Sequence, residues 1–304
     1  MRVKVLGSAA GGGFPQWNCG CANCVRVRQK SAQGMSRTQA QLAVTADNQS
    51  WFLLNASPDL RQQILATAEL APAAGERGSP IAGVVLTSAD VDAVVGLLHL
   101  REFHRFRIYA TSGVRRILTE TNSMFRVLER SKPPVEWCDL AGGKETLLDR
   151  RSGLACTAVA LEGEYPDYVD ASLRKALARN EAVIGLAVAC GGKSMFFAPG
   201  LPGKSSAWKA RAVASDLVFL DGTFWSDDEL IAIRGSGKSA REMGHPPLSG
   251  NVGLIDELRL ETRPRKVSIH INNTNPILNE ESAERREMQK AGWEIARDGM
   301  EFVL

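Results

Sequence analysis

A tight cluster of cysteines is the first feature of the sequence that could do chemistry. Cys19, Cys21 and Cys24 form a Cys-x-Cys-x-x-Cys pattern directly after a glycine-rich turn, whereas the other cysteines lie far apart along the chain. Three thiolates at this spacing can converge on one Zn²⁺ ion, and in a reducing compartment they favour metal over disulfides. The pattern does not indicate an open coordination position for water or substrate, as a catalytic zinc would have. We therefore expect a structural zinc in the loop 18–25 with a fourth ligand from elsewhere, although free thiols would give the same pattern.

A second set of candidates stands at the ends of two apolar strands. Asp90 and Asp92 follow the strand that ends at Thr87, and His270 ends another strand and precedes a run rich in asparagine. The two acids could simply cap the next helix, but they also suit a metal or proton-handling site. An imidazole beside several side-chain amides indicates a site more strongly than a lone histidine does. His245 lies in a Gly-His-Pro-Pro loop and could donate a proton.

Three other polar turns have a plainer explanation in turn chemistry. The glycine-rich stretch 7–13 lacks the Lys-Ser/Thr ending of a phosphate loop and the spacing of a dinucleotide-binding turn. Asp59 follows a strand end and suits a helix cap. Asp221 and Thr223 follow a buried strand, where ligands gather in α/β folds, but an ordinary turn would use the same residues.

The composition indicates a chain that can bury a core and that has no bias towards nucleic acid. Of its 304 residues, 44% are hydrophobic and 23% are charged, and the net charge is +3 with basic residues spread along the chain. The N-terminal residues lack the apolar segment and cleavage site of a signal peptide, and no apolar run is long enough to span a bilayer. These features predict a cytoplasmic protein without nucleic-acid or membrane partners.

Strand and helix patterns alternate along the chain. Apolar runs bounded by turn residues predict strands at 3–6, 41–45, 51–54, 81–87, 107–110, 183–189, 194–197, 217–220 and 266–271. Helical patterns occupy 60–69, 92–103, 113–123 and 282–290. An Asp-Gly turn predicts a hairpin over 295–302. Together these elements indicate an α/β fold of two mixed sheets packed together, with helices outside, in one domain.

The segment around Asp92 resembles the metal loop of the metallo-β-lactamase superfamily, Thr-His-x-His-x-Asp-His-x-x-Gly. Thr87, Asp92 and Gly96 match it. The positions of its histidines hold Ser88, Asp90 and Ala93. More specifically, the chain resembles the family of pyrroloquinoline quinone (PQQ) biosynthesis proteins B. The segments that carry this resemblance run from end to end: VLGSAAGGGFPQWNCGCANC (5–24), RTQ (37–39), LLNASPDLRQQI (53–64), GLLHLRE (96–102), FFAPG (196–200), LDGTFWSDDE (220–229), REMGH (241–245) and HINNTNPIL (270–278).

The resemblance implies a four-layer αβ/βα sandwich over residues 1–304 and a structural zinc on Cys19, Cys21 and Cys24. Related phosphodiesterases close a similar cysteine loop with a histidine, and the residue aligned with it here is Asn273. The family is associated with the maturation of PQQ from a ribosomal peptide through a cross-linked Glu–Tyr product. The implied activity is hydroxylation of the tyrosine-derived ring with iron and O₂, and an older suggestion is PQQ transport. The implied partners are PQQ or its precursor and other PQQ biosynthesis proteins.

Ala93 is where the chain departs from the family pattern. The family keeps an Asp-His pair at the positions of Asp92 and Ala93, plus the histidine matching His270, and these would form a facial triad suited to Fe(II). Asp90 could replace the missing imidazole as an oxygen ligand, and His245 could act as an acid or base beside the metal. We therefore expect an iron-dependent hydroxylase with a weakened site. Ala93 favours the alternative, a non-catalytic binder or carrier, whereas a hydrolase would need two metals that these residues could not hold.

The substrate cleft is expected between the strand ends at Thr87, Leu220 and His270, where the candidate ligands gather. PQQ and its precursors are acidic, so the cleft should present basic side chains to them. The candidate counter-charges are Arg61, Arg101 and Lys238.

Overall fold

The computed structural model describes residues 1–29, 35–102, 104–130, 134–202 and 206–304. Its strands form two seven-stranded sheets. In chain order they are β1 (Arg2–Gly7), β2 (Gln41–Thr45), β3 (Trp51–Leu54), β4 (Ile81–Val85), β5 (Arg107–Ala110), β6 (Glu136–Asp139), β7 (Glu145–Asp149), β8 (Leu154–Ala160), β9 (Ile184–Cys190), β10 (Lys193–Ala198), β11 (Leu217–Asp221), β12 (Arg265–Ile269), β13 (Trp293–Ile295) and β14 (Glu301–Val303).

The helices are short and lie between the strands. The α-helices are α1 (Ala22–Arg28), α2 (Leu60–Leu65), α3 (Val91–Val94), α4 (Ser112–Arg116), α5 (Ala171–Ala176), α6 (Ala207–Ala214), α7 (Glu229–Arg234), α8 (Leu254–Glu257) and α9 (Ala283–Lys290). Turns of 3₁₀ type occupy Ala68–Leu70, Val95–Arg101, Ser123–Arg130, Arg179–Glu181, Arg241–Met243 and Pro276–Leu278, and a π turn occupies Ile117–Thr121. Among the described residues, no helix combines the length and the apolar character needed to cross a bilayer.

The two sheets have mirrored strand orders. The first runs β14-β1-β2-β3-β4-β5-β6, antiparallel from β14 to β3 and parallel from β3 to β6. The second runs β13-β12-β11-β10-β9-β8-β7, parallel from β13 to β10 and antiparallel from β10 to β7. The carboxyl ends of parallel strands meet at one edge of a sheet, where α/β folds place their ligands.

Alternating side chains of the buried strands build a four-layer sandwich. Strand β3 directs Phe52 and Leu54 into the core between the sheets, and Trp51 and Leu53 into the core under the outer helices. Period-2 alternation sends neighbouring side chains to opposite faces, so a strand covered on both sides reads as a continuous apolar run. Strand β11 is buried at every position for the same reason. The expected layer order, helices–sheet–sheet–helices, is confirmed.

The hairpin predicted over 295–302 is wrong. Strand β13 pairs with β12 in the second sheet, whereas β14 pairs with β1 in the first, so the chain crosses between the sheets at its Asp-Gly turn. The crossing is fixed by Asp298, whose carboxylate accepts hydrogen bonds from Ser8 Oγ at 2.8 Å and from Thr38 Oγ1 at 2.8 Å. Turn residues indicate a reversal of the chain but not which strands it joins.

The helix predicted over 92–103 is also shorter than expected. Helix α3 ends at Val94 and continues as a 3₁₀ turn from Val95 to Arg101, and residue 103 lies outside the described residues. At Gly96 this turn crosses very close to the chain after β3, because an added Cβ would stand 2.2 Å from the carbonyl oxygen of Ser57. The backbone amide of Gly96 donates to Ala56 O at 2.9 Å, which holds the metal-loop region against β3.

Candidate metal centres and cleft

The cysteine loop brings its thiols together as the sequence predicts. The sulfurs of Cys19, Cys21 and Cys24 lie within 4.8 Å of one another. Asn273 Nδ2 lies 3.0 Å from the first sulfur and 3.5 Å from each of the others. Burial, together with the neighbouring sulfurs of Cys21 and Cys19, raises the pKa of Cys24 to about 11. Three converging sulfurs with an amide at the remaining vertex fit a tetrahedral Zn²⁺, whose bonds to sulfur are about 2.3 Å long.

The cysteine loop is tied directly to the segment that follows β12. The Asn23 side chain is 9% exposed and donates to the carbonyl oxygens of Asn273 at 3.1 Å and Asn275 at 2.9 Å. Asn275 Nδ2 in turn donates to Gly222 O at 2.9 Å, just beyond β11. Because Asn273 is only three residues from His270, the thiol cluster and the cleft share one supporting loop.

A second cluster forms where β11, β12 and the loop after β4 meet. His270 Nε2 lies 2.9 Å from Asp92 Oδ2, and His245 Nδ1 lies 2.7 Å from Asp221 Oδ2. The two imidazole rings stack with centroids 5.4 Å apart and planes 22° apart. The structure thus brings Asp92, His245 and His270 into one cluster, and Asp221 joins them with its side chain fully buried.

Thr223 connects both histidines to the buried carboxylate. Its Oγ1 lies 2.6 Å from Asp221 Oδ1, 3.0 Å from His245 Nδ1 and 2.9 Å from His270 Nδ1. A hydroxyl donates one proton, and Asp221, as the charged acceptor at the shortest distance, receives it. The imidazole Nδ1 atoms are then the donors, which leaves the Nε2 of His270 facing Asp92 Oδ2 at 2.9 Å.

This geometry also decides which side of the histidines a metal could occupy. The ligand atoms of Asp221, His245 and His270 lie within 4.8 Å of one another. The space between the carboxylate and the two Nδ1 atoms, however, holds the Thr223 hydroxyl. These residues therefore form a hydrogen-bonded support, and the side available to a metal is that of Asp92 and the Nε2 of His270.

The charges in the cluster favour ionised Asp92 and protonated His270. Burial opposes both charges, but their mutual hydrogen bond lowers the pKa of Asp92 below its ordinary value and raises that of His270. Asp90 lines the cleft, and protein atoms surround its carboxylate on the other sides. The removal of water by these atoms and the negative charge of Asp92 raise the pKa of Asp90. A metal ion that displaced the proton on His270 Nε2 would take over the neutralisation of both acids.

The loop that presents Asp92 is held from behind by side-chain hydrogen bonds. Asn55 has a φ of +67° and accepts hydrogen bonds at Oδ1 from Thr87 N at 2.9 Å and Thr87 Oγ1 at 3.0 Å. Ser88, which stands where the superfamily motif has a histidine, donates to Asp90 Oδ2 at 2.7 Å. Ala93 is 4% exposed and presents only a methyl group to the cleft.

The cluster lies in a cleft of about 880 Å³. Of the described non-glycine residues with positive φ, Asn55, Glu162 and His270 line this cleft and Asn48 does not. Such backbone angles cost of order 1–3 kcal/mol each and concentrate at functional sites. Tyr168 forms one wall and donates its hydroxyl to the carbonyl of Ala89, which closes the wall onto the metal loop.

The basic residues expected at the cleft are only partly placed there. Lys238 lines it and has no ion pair in the described part of the chain. Arg61 is exposed on α2, outside the lining, and the Arg101 guanidinium bonds Leu98 O at 2.8 Å, also outside it. The structure therefore does not bring these two arginines to the cleft, because both elements pack on the outer face of the first sheet. The arginines that do line the cleft are Arg179 and Arg241.

Asp221 and Thr223 belong to the cluster, although their sequence context alone does not distinguish them from ordinary turn residues. Their position after a buried strand was the available signal, but a turn explained it equally well. Their contacts with His245 and His270 are separated by 22 to 47 positions in the chain, and only the fold brings these residues together.

One further acid supports the loop between the two centres. Glu229 is 8% exposed and accepts hydrogen bonds from Thr274 Oγ1 at 2.5 Å and Trp225 N at 2.7 Å. Burial raises its pKa to about 7 in spite of these bonds. The protonation of Glu229 therefore changes within the neutral pH range.

Comparison with known proteins agrees with this architecture. The sequence model of the beta-lactamase superfamily domain matches residues 50–271. The coenzyme PQQ synthesis protein B of Gluconobacter oxydans (strain 621H) is 44% identical over 308 residues, covering 100% of this chain and 99% of that protein. The crystal structure of Zn(2+)-bound PqqB from Methylobacterium extorquens is 39% identical, with a TM-score of 0.92 and 100% of each chain covered.

A structure with much lower sequence identity has a similar fold. A diphosphatase from the PhnP family is 18% identical, with a TM-score of 0.65 over 100% of this chain and 97% of that chain. That likeness concerns the fold alone. The identity above 40% over the full length is the decisive finding. The chain therefore belongs to the coenzyme PQQ synthesis protein B family of the metallo-β-lactamase superfamily.

Proposed function

We propose that the chain acts in PQQ biosynthesis, where it catalyses an iron-dependent, O₂-using hydroxylation of the tyrosine ring of a Glu–Tyr-derived precursor. The observation that carries this proposal is the 2.9 Å approach of Asp92 Oδ2 and His270 Nε2 in a cleft with room for such a precursor. Membership of a family whose relatives are named for PQQ synthesis supports the pathway. The donor types support the chemistry.

The donor pair fits one divalent ion. Two atoms that bind an ion at right angles, each at about 2.1 Å, lie about 3.0 Å apart. The distance between Asp92 Oδ2 and His270 Nε2 is 2.9 Å. Asp90 adds a second carboxylate, whose Oδ2 accepts from Ser88 while Oδ1 is left for the ion. Iron bound to carboxylate and imidazole would supply the open positions at which O₂ is activated.

The residues around the donor pair hold the precursor and keep the histidine oriented. Thr223 fixes the ring of His270 through Nδ1. Lys238 offers an unpaired ammonium to a precursor carboxylate on the cleft wall. The reaction inserts one oxygen atom of O₂ into an aryl C–H bond and releases the other as water. The two electrons and two protons for that water come from an external reductant of the ascorbate or thiol class.

The thiol cluster is proposed as a separate, structural zinc centre. Cys19, Cys21 and Cys24 supply the three sulfurs, and Asn273 closes the tetrahedron through its side-chain oxygen. Rotating the Asn273 amide by half a turn exchanges Nδ2 for Oδ1 at the same position, facing the sulfurs. A zinc ion there would hold the loop that carries His270.

Ala93 supports a second candidate function. A cleft that lacks the family imidazole at this position could bind PQQ or its precursor without chemistry, as a carrier. In that case the cleft would hold an acidic ligand through Lys238 and would have no need of a redox metal.

Two measurements on one pair of proteins test the proposal. In a PQQ-producing bacterium that lacks its own protein B, the unaltered chain should restore PQQ production, and the Asp92→Asn variant should not. Metal analysis of the purified chain after anaerobic iron loading should find both zinc and iron. Restoration of PQQ by both proteins, with zinc as the sole metal, would contradict the hydroxylase and support the carrier.

A further inference from the structure

We propose that Gly11 is a specificity-determining residue of the cleft: the planar ring of the ligand lies against its bare backbone, next to the Asp92–His270 centre. This inference rests on the proposed function, because it concerns the ligand of the same cleft. It gives the glycine-rich turn after β1, which lacks a phosphate-binding pattern, a place in substrate recognition.

The turn brings Gly11 beside the proposed metal ligands. The amide of Ala10 donates to Ile271 O at 2.9 Å, which holds the turn next to the residue that follows His270. Gly11 itself is exposed and lines the cleft. A Cβ added to Gly11 would stand 3.9 Å from Asp92 Oδ2, the oxygen that lies 2.9 Å from His270 Nε2. A side chain at residue 11 would therefore occupy the space next to the donor pair.

Neither the backbone angle nor the packing of the protein requires a glycine at residue 11. Its φ lies outside the left-handed region, in contrast to Gly12 at +91° and Gly13 at +70°. Apart from its neighbours in the chain, Asp92 Oδ2 is the one described atom within 4 Å of the added Cβ. The free space at Gly11 therefore belongs to the cleft. A glycine in such a place allows a ligand to approach the backbone closely.

The turn is fixed by hydrogen bonds and does not withdraw easily from a ligand. Gly12 N donates to Gln39 Oε1 at 3.1 Å, and Asp59 Oδ2 accepts from Gln39 N at 2.8 Å and Gln39 Nε2 at 3.1 Å. From residue 8 to residue 14, Gly11 has the one amide that makes no hydrogen bond to a described residue. The turn thus offers the cleft a held, planar peptide group and a donor that is available to a ligand oxygen.

The competing surface for the ligand ring is Tyr168. Its side chain lines the cleft, and the residue is 48% exposed. Aromatic rings stack favourably on one another, so a planar ligand has a reason to lie there. A ligand that stacked on Tyr168 alone would respond to Tyr168→Ala and would be indifferent to a methyl group at residue 11.

A size series at residue 11 tests the proposal with two probes, PQQ and Co²⁺. Zinc-loaded protein is titrated with Co²⁺ against a chelator, because Co²⁺ is stable to air and reports its ligands by absorption. The affinity of zinc-loaded protein for PQQ is measured by calorimetry. Gly11→Ala should weaken PQQ binding about 10-fold and Gly11→Val about 100-fold, because the added groups fill the space of the ring. Both variants should bind Co²⁺ as the unaltered chain does.

The matched control is Gly78→Ala. Gly78 is exposed outside the cleft, without a positive φ and without a described atom within 4 Å of an added Cβ. This variant should keep both affinities. Thermal melts of the alanine variants exclude a folding defect, because alanine at a compatible backbone angle leaves stability unchanged or slightly raised.

Four results would overturn the proposal. They are equal PQQ affinity of Gly11→Ala and the unaltered chain, no PQQ binding by the unaltered chain, a loss confined to Tyr168→Ala, and a parallel fall in Co²⁺ affinity, which would mean that the methyl group acts on the ion. In each case the proposed function stands if Asp92→Asn still abolishes PQQ production, and it fails if PQQ production continues.

Discussion

Replacing Thr223 with valine tests whether the histidines are positioned as described. Valine keeps the shape of the side chain and removes the hydroxyl, which lies 2.6 Å from Asp221 Oδ1 and 2.9 Å from His270 Nδ1. Asp221 keeps its bonds to His245 at 2.7 Å and to Leu201 N at 3.1 Å, so the carboxylate is not stranded. His270 Nδ1 loses its side-chain partner, and its ring is free to turn.

The contacts set the expected size of the effect. A hydrogen bond to a charged group contributes about 1.5–3 kcal/mol, and a buried donor without a partner costs about 1–3 kcal/mol. We therefore expect Thr223→Val to lower the free energy of unfolding by about 3 kcal/mol and the melting temperature by about 5 °C. Loss of the group that orients a metal-binding histidine lowers metal affinity by about 10–100-fold.

The assay is the Co²⁺ titration of zinc-loaded protein, with a thermal melt of each variant. Thr223→Ser keeps the hydroxyl and should keep the affinity. Thr67→Val removes a buried hydroxyl that bonds Gln63 O at 2.8 Å, remote from the cleft, and should lower stability without changing Co²⁺ binding. If Thr223→Val binds Co²⁺ as tightly as the unaltered chain, the hydroxyl does not orient His270 and the reasoning fails.

Four other changes probe the remaining parts of the account. Cys21→Ala should lose zinc and stability together. The control Cys156→Ala, in a buried strand, should lose stability and keep zinc. Zinc retained by Cys21→Ala would contradict the assignment of the zinc site. Ala93→His should raise iron and Co²⁺ affinity, which metal titration measures, and no gain would place residue 93 away from the ion. The pKa of Glu229 is about 7 in the folded protein, above its ordinary value of 4.5. Its protonated form therefore contributes about 3 kcal/mol to the free energy of unfolding below pH 4.5, and this contribution is lost as the pH rises to 7. Glu229→Gln should remove this slope from urea-unfolding free energies measured between pH 5 and 8, and parallel profiles would contradict it. Lys238→Gln should weaken PQQ binding, more at low salt than at high salt, and equal calorimetric affinities would exclude its role.

Elements bounded by clear turn signals were the most predictable. The strands at Gln41–Thr45, Trp51–Leu54 and Arg107–Ala110 have the bounds expected from sequence, because short apolar runs between turn residues have one way to be buried. Helix α9 likewise follows its Ser282 cap, whose side chain accepts from Arg285 N. Turn and cap residues were sufficient to predict the bounds of these elements.

Features that depend on residues distant in the sequence could not be predicted from local sequence patterns. The tail 295–302 has the sequence of a hairpin, but its Asp298 accepts hydrogen bonds from the hydroxyls of Ser8 and Thr38, which hold the chain where it crosses from one sheet to the other. Arg61 and Arg101 carry the charge that an acidic ligand requires, but the faces of their elements place them outside the cleft.

In the candidate site too, local sequence patterns indicated some residues, and only the fold identifies the others. The cysteine spacing anticipated the thiol cluster, and the resemblance supplied Asn273, which lies against all three sulfurs. Asp92 and His270 were visible as polar residues at strand ends. Asp221 and Thr223 were not distinguished from turn residues, since the carboxyl ends of two sheets must meet before their role appears. The one-domain organisation stays a prediction.

The proposed reaction transfers one oxygen atom from O₂ to the substrate at the Asp92–His270 centre. The most direct measurement is mass spectrometry of a Glu–Tyr-derived precursor after incubation with iron-loaded protein, a reductant and ¹⁸O₂. We expect a product that carries one ¹⁸O atom on the tyrosine ring, formed by the unaltered chain and absent with Asp92→Asn. Unchanged precursor, recovered bound to iron-loaded protein after many equivalents of O₂, would contradict it.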